Sequence, residues 1–369
     1  VQTGQGAKRE AATSLIDRIR RWMRPVPVTE TEPAALPKGK ARGRVDHVVV
    51  LDGTFSSLRD EELSNAGLAF RLMCEGGRTA RRTLYYEEGI RWQGWRRGME
   101  VVQGIGIDGQ IARAYGHLAS HYREGDRIFL FGYSRGAFAA RSLAGVIDRV
   151  GLLRHDCATE RNVMQAYRHY RLNPDGEAAQ AFSRAHCHLE APIEMVGVWD
   201  TVKALGLRFP LLWMLTEKHH AFHNSHLGSS IRHGFHALAL DETRAVFEPV
   251  LWDCPPGWEG NVEQVWFRGA HGDIGGQLGA FEQARPLANI PLVWMLDRAE
   301  ACGLDLPQGW RARFPCDPQA PMVGTWMGWG KWFLLRRRRV VGRDRSERLH
   351  ETVPAPARAR WPALGQPAE

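Results

Sequence analysis

The chain has 369 residues, 44% hydrophobic and 24% charged, a mixture that can bury a sizeable core and excludes a disordered or low-complexity polymer. No run of about 18 apolar residues occurs, so no segment reads as membrane-spanning, and the first residues lack the basic-then-apolar pattern of a signal peptide. The formal net charge of +8 points toward an acidic partner such as anionic lipid or nucleic acid, while six scattered cysteines without a Cys-x-x-Cys pair speak for isolated thiols made in a reducing cytoplasm.

Residues 1–44 read as an appendage. Leu15, Ile16, Ile19, Trp22 and Met23 recur at helical spacing opposite Arg18, Arg20, Arg21 and Arg24, the pattern of a short basic amphipathic helix that lies on an anionic surface or packs on its own domain. Pro25 ends it, and the proline-rich run to Arg44 reads as a linker. A β-branched run, Val45 to Leu51, then predicts a central strand ending in Asp52-Gly53-Thr54, where Asp52 is expected to organise its own turn. A helix over residues 63–73, a strand near residues 83–86, a glycine-punctuated loop over 89–109 and a helix over 111–122 follow.

Residues 126–133 are the next predicted strand. It runs into Gly132-Tyr133-Ser134-Arg135-Gly136 and a helix of small residues from Ala137 to Gly145. Gly-x-Ser-x-Gly between a strand and a helix is the sequence of a nucleophile elbow: the turn is strained, and a β-carbon at Gly132 or Gly136 would meet the neighbouring element. Helices over 161–170 and 177–188 and a strand over 194–199 come next, the strand ending at Asp200. A helical insertion at about 203–234 carries His219, His220, His223 and His226, but without a His-Glu-x-x-His string or companion carboxylates it reads as a solvated or cap-like segment, and no metal or cofactor is expected. A stretch from Phe235 leads to Asp241. The last clear strand, 262–267, ends in the glycine-rich loop around His271, and a helix over 291–302 closes the domain. Strand and helix alternate, which predicts an α/β fold with a mostly parallel sheet covered on both faces. Beyond residue 305, Trp326, Trp329, Trp332, Phe333, Leu334 and Leu335 run into Arg336 to Arg339, bulk and charge in the order an anionic membrane surface would take; nucleic acid is the less favoured partner.

Ser134, Asp200 and His271 each follow a predicted strand, in the chain order of α/β-hydrolase triads. All three strand ends lie at the carboxyl edge of the sheet, where ligands bind in open α/β folds. The expected oxyanion donors are the backbone N–H of Arg135 and one from the Gly53-Thr54 loop. Asp273 and Asp241 are the alternatives to Asp200 as the acid, and Asp200 is preferred because it alone ends a strand between serine and histidine.

The strings DHVVVLDGT, GDRIFLFGYSRGAFAARSLAG, MVGVWDTVKALG, HALALDETRAVFEPVLW and QVWFRGAHGDIGG resemble, in this order over residues 45–305, an α/β-hydrolase family that includes phospholipase effectors of bacterial type VI secretion. The resemblance implies a cofactor-independent serine lipid acyl hydrolase, with Ser134, Asp200 and His271 as the matching triad, made in a bacterial cytoplasm and open to export. Ser56, Lys203 and Gln277 depart from the residues usual at their positions in the family. The organisation expected is an appendage (1–44), a catalytic domain (45–305) and a tryptophan-rich basic segment (306–369). The competing reading is a non-catalytic membrane- or nucleic-acid-binding module on a hydrolase scaffold.

Overall fold

The computed structural model describes residues 29–31, 42–75, 81–89, 105–202, 227–254, 260–326 and 335–355. The basic helix expected near residues 10–24, most of the histidine-rich insertion, and Trp329 to Leu334 lie outside them.

Among the described residues, eight strands form one sheet. In chain order they are β1 (Thr29–Thr31), β2 (Asp46–Leu51), β3 (Arg82–Glu87), β4 (Arg127–Tyr133), β5 (Ile193–Trp199), β6 (Ile231–Ala239), β7 (Asn261–Phe267) and β8 (Glu347–Leu349). Their spatial order is β1-β3-β2-β4-β5-β6-β7-β8, parallel throughout except for β1, which runs antiparallel on the edge of β3. The central strands are buried on both faces, which is why they read as unbroken apolar runs. Val49, Leu51, Ile128, Leu130, Val196 and Val198 enter one hydrophobic cluster, whereas Val48, Val50, Phe129, Phe131, Met195 and Trp199 enter the other. The two sets interleave along each strand because side chains alternate across the pleat.

Helices α1 (Asn65–Glu75) and α7 (Arg285–Ala301) cover one face; α2 (Ile105–His121), α3 (Arg135–Arg149) and α4 (Glu160–Leu172) cover the other, with α5 (Glu177–His186) packed outside α4. The short α6 (His271–Gly275) follows β7. This is the mostly parallel α/β arrangement expected from the alternation of elements, and the α/β-hydrolase-like one that the family resemblance implies. Among the described residues no helix is long and apolar enough to cross a membrane.

Several boundaries differ from expectation. Helix α2 begins at Ile105, inside the stretch read as loop, since Gly106 and Gly109 are tolerated where the helix packs against α3 and the sheet. Helix α7 begins at Arg285 and carries Pro291 in its interior; Pro286 sits in its first turn, where the missing N–H costs nothing. Strand β6 begins at Ile231, so the end of the predicted helical insertion is strand. Strand β1 lies in the segment read as linker, and β8 in the segment read as basic tail. Three residues are too short for a periodic signal. All six cysteines are free.

Candidate active site

Sheet register brings the site together before any side chain is considered. Tyr133 pairs with Trp199, and Trp199 with Ala237. The ladder continues one residue further, with the Ser134 N–H donating to the Trp199 carbonyl at 3.0 Å and the Asp200 N–H to the Ala237 carbonyl at 2.8 Å. Ser134 and Asp200 therefore emerge side by side at the carboxyl edge. Strand β7 lies two strands beyond β5, on the far side of β6, and delivers His271 as the first residue of α6. The loop expected around His271 is thus a helical turn, closed by Gly276 at φ 70°.

Ser134 sits at φ 57° and Asp200 at φ 42°, left-handed conformations that non-glycine residues seldom adopt. Such strain persists only where surrounding structure over-determines it. At the elbow the constraint is steric: a β-carbon on Gly132 would lie 2.5 Å from the Gly136 carbonyl oxygen, and one on Gly136 would lie 2.1 Å from the Leu51 carbonyl oxygen. Glycine at both positions lets α3 start directly against β2 and β4.

The His271 Nε2 lies 2.8 Å from Ser134 Oγ, and its Nδ1 lies 2.6 Å from Asp200 Oδ2. A carboxylate can only accept, so Nδ1 carries the proton and donates to Asp200, which leaves Nε2 to accept from the serine hydroxyl. The imidazole is fixed by more than these two bonds. Phe247 stacks on it at a centroid distance of 4.7 Å, Tyr133 lies at 5.0 Å, and the His271 N–H donates to Glu242 Oε2, itself held by Arg244.

The two alternative acids are committed elsewhere. Asp273 accepts from the backbone N–H groups of Ala270 and Val323, and Asp241 accepts from that of Gly269. Burial alone would raise the Asp200 carboxyl, but the Arg339 guanidinium and the bond from His271 outweigh it and hold Asp200 well below the usual carboxylate range. Arg339 contacts both carboxylate oxygens, at 2.6 and 2.8 Å. Sequence reasoning placed it in a surface-binding arginine block; the structure turns Arg339 inward and leaves Arg337 and Arg338 exposed. Arg336 donates to the Thr243 and Thr325 hydroxyls and lies 3.5 Å above the Trp326 ring.

One expected oxyanion donor is occupied. The Gly53 N–H donates to Asp52 Oδ1 at 2.7 Å, closing its own turn, so the Thr54 N–H is the remaining candidate from that loop, alongside the expected Arg135 N–H at the start of α3. Asp52 has the organising role expected of it: it also accepts from Ser64 and Tyr86, and full burial pushes its carboxyl up to about 6 against the opposing effect of these bonds. Gln277, one departure from the family strings, donates to the Thr54 carbonyl at 3.0 Å and ties this loop to the chain just after α6. Ser56 donates its N–H to the Gly53 carbonyl, and Lys203 lies outside the described residues. Among the described residues no group of three or more His, Cys, Asp or Glu could hold a metal; His219, His220, His223 and His226 lie outside them.

A serine on a left-handed elbow between a parallel strand and a helix, at the carboxyl edge of a sheet covered on both faces, defines the α/β-hydrolase class of fold. Within that class the chain belongs to the family described as the catalytic domain of type VI secretion phospholipase effectors of the Tle1-like kind, which it matches over residues 46–298. An uncharacterized protein of Saccharomyces cerevisiae is 27% identical over 235 residues, covering 57% of this chain and 33% of the yeast protein. The chain thus spans about a third of the length of that curated relative. Among solved structures, an uncharacterized protein from Pseudomonas aeruginosa gives a TM-score of 0.43 at 16% identity, covering 74% of this chain and 49% of that one. The Tle1 effector bound to the VgrG spike of the type VI secretion system gives 0.37 at 18% identity, covering 64% and 52%.

Proposed function

We propose that the chain is a serine-dependent carboxylic ester hydrolase acting on phospholipid, with Ser134 as nucleophile, His271 as general base and Asp200 as the residue that orients His271. The observation that carries this reading is the hydrogen-bonded row Ser134 Oγ, His271 Nε2, His271 Nδ1, Asp200 Oδ2, with links of 2.8 and 2.6 Å, on a strained elbow. Family membership supports the phospholipid class of substrate.

In this reading Nε2 takes the serine proton as Oγ attacks the acyl carbonyl carbon. The imidazolium so formed is stabilised by Asp200 through Nδ1–H. The carbonyl oxygen becomes an oxyanion, met by the N–H groups of Arg135 and Thr54; removing one such donor typically costs about 3 to 4 kcal/mol of barrier lowering. Collapse returns the proton from Nε2 to the leaving alcohol of the lipid and leaves an acyl ester on Ser134. Water, deprotonated by the same nitrogen, then releases the fatty acid.

Contact with a membrane surface fits the exposed residues of the C-terminal segment. Trp326 and Leu335 are 60% and 67% exposed, and Arg337 and Arg338, which follow Leu335 in the chain, are exposed as well. Membership in an effector family favours delivery by a type VI apparatus after synthesis in the bacterial cytoplasm. The test is fatty-acid release from a panel of phospholipid vesicles by the wild type and by Ser134→Ala. Release by the wild type and none by the variant is expected; equal release by both would refute the assignment.

A further inference from the structure

Asp200 is fully buried, and its carboxylate has about four acceptor positions to fill. Four donors fill them: the Ala239 N–H at 3.0 Å and Arg339 Nη1 at 2.6 Å on Oδ1, and His271 Nδ1 at 2.6 Å and Arg339 Nη2 at 2.8 Å on Oδ2. Of these, the Ala239 amide is neutral, and the imidazole is neutral whenever it is ready to take a proton. Arg339 alone brings a permanent charge, and it brings it as a planar fork matched to the carboxylate.

We propose that Arg339 is a positioning residue for the acid of the row: its fork fixes both oxygens of Asp200, so that Oδ2 is held toward His271 Nδ1 and the imidazole keeps Nε2 on Ser134. The inference rests on the serine-hydrolase reading above and adds to it a residue 41 positions beyond the end of the family match at 298.

Three further observations support it. The same guanidinium donates to the Ala239 carbonyl and to the Phe247 carbonyl, and Phe247 is the ring stacked on His271, so one side chain braces the acid, the end of β6 and the wall behind the base. The segment carrying it is itself laced to the loop after β6: the Ala245 N–H donates to the Leu335 carbonyl and the Arg337 N–H to the Thr243 carbonyl. Finally, the chain contains its own contrast. Asp52 is as deeply buried and accepts from two hydroxyls and an amide, yet its carboxyl is pushed up, because hydrogen bonds from neutral donors do not offset the desolvation of a charge as an arginine does.

The test uses the full chain and p-nitrophenyl butyrate, a soluble ester that needs no membrane. Arg339→Ala should lower kcat about 100-fold with KM within about twofold, since the effect is on the arrangement of the reacting groups and not on substrate binding. Guanidinium chloride at tens of millimolar, too dilute to denature, should restore about tenfold of that loss, and should restore nothing to Ser134→Ala. A merely structural arginine would give no such rescue. Arg339→Lys keeps the charge without the fork; it should fold as the wild type does and lose about tenfold in kcat. Wild-type kcat in Arg339→Ala, or, if that variant fails to fold, wild-type kcat in Arg339→Lys, would overturn the proposal while leaving the hydrolase reading intact. Loss in Arg339→Ala that guanidinium does not relieve would also overturn it. Hydrolysis unaffected by Ser134→Ala would overturn the hydrolase reading, and this proposal with it.

Discussion

Replacing Gly136 by alanine would put a methyl carbon 2.1 Å from the Leu51 carbonyl oxygen and 2.5 Å from that of Asp52. Carbon–oxygen contacts become comfortable at about 3.3 Å, so the start of α3 and the end of β2 must separate by roughly 1 Å. Both neighbours are backbone, and neither can swing aside as a flexible side chain would. Ser134 is two residues away and its hydroxyl lies 2.8 Å from His271 Nε2, so a displacement of that size takes the pair out of hydrogen-bond range. A misplacement of about 1 Å at a reacting atom costs on the order of 100-fold in rate, and forcing a methyl into a filled site costs about 1 to 3 kcal/mol of stability. The assay pairs kcat on a soluble ester with a thermal melt, and Gly116→Ala serves as control. Gly116 lies inside α2, and the nearest heavy atom to its added methyl is Val163 Cγ2 at 3.7 Å. That control should keep full activity and gain about 0.5 to 1 kcal/mol, the usual advantage of alanine over glycine in a helix. Gly136→Ala at wild-type kcat would refute the steric account of the elbow.

The pH dependence of stability should carry a signature of Asp52. Its folded carboxyl is pushed up to about 6 by burial, above its unfolded value, so its contribution is fully present below the unfolded pKa and is lost as pH rises through the folded one. The loss amounts to about 2 kcal/mol between pH 4 and pH 7. In urea titrations Asp52→Asn should flatten that decline, and an identical pH profile in the two proteins would contradict the assignment. In the C-terminal segment, replacing Arg337 and Arg338 together by glutamine removes two exposed charges, each contributing about 1 kcal/mol near an anionic surface, so vesicle binding should weaken roughly 30-fold while hydrolysis of a soluble ester is spared. Unchanged sedimentation with anionic vesicles would remove these two residues from any membrane contact.

The strands buried on both faces were legible because such burial writes itself as an unbroken apolar run, as in Val48 to Leu51 and Ile128 to Phe131. The convergence of Ser134, Asp200 and His271 was legible for a related reason: parallel strands all end at one edge, so residues just past their ends are neighbours whatever their separation in sequence. What escaped depends on contacts that a local pattern does not record. A run of four arginines has no internal sign that its last member turns inward to a carboxylate 139 positions earlier. Gly53 was placed among the oxyanion donors because its loop faces the elbow; that its N–H is taken by Asp52 follows from the geometry of one turn. Strand β8 is three residues long, and its place beside β7 is set by tertiary contacts such as the Trp266 indole N–H donating to Glu347. Helix α6 was masked by its glycines, which suggested a loop, although Asp273 accepts from the Ala270 N–H and caps its first turn.

The most direct measurement is mass spectrometry of the intact protein and its peptides after treatment with a fluorophosphonate, which forms a covalent bond with a serine only where that serine is activated as a nucleophile. One adduct is expected, on the peptide containing Ser134, absent in Ser134→Ala and at least 100-fold slower to form in His271→Ala. A folded protein that takes up no fluorophosphonate, or an adduct on Ser134 that forms at the same rate without His271, would contradict the account.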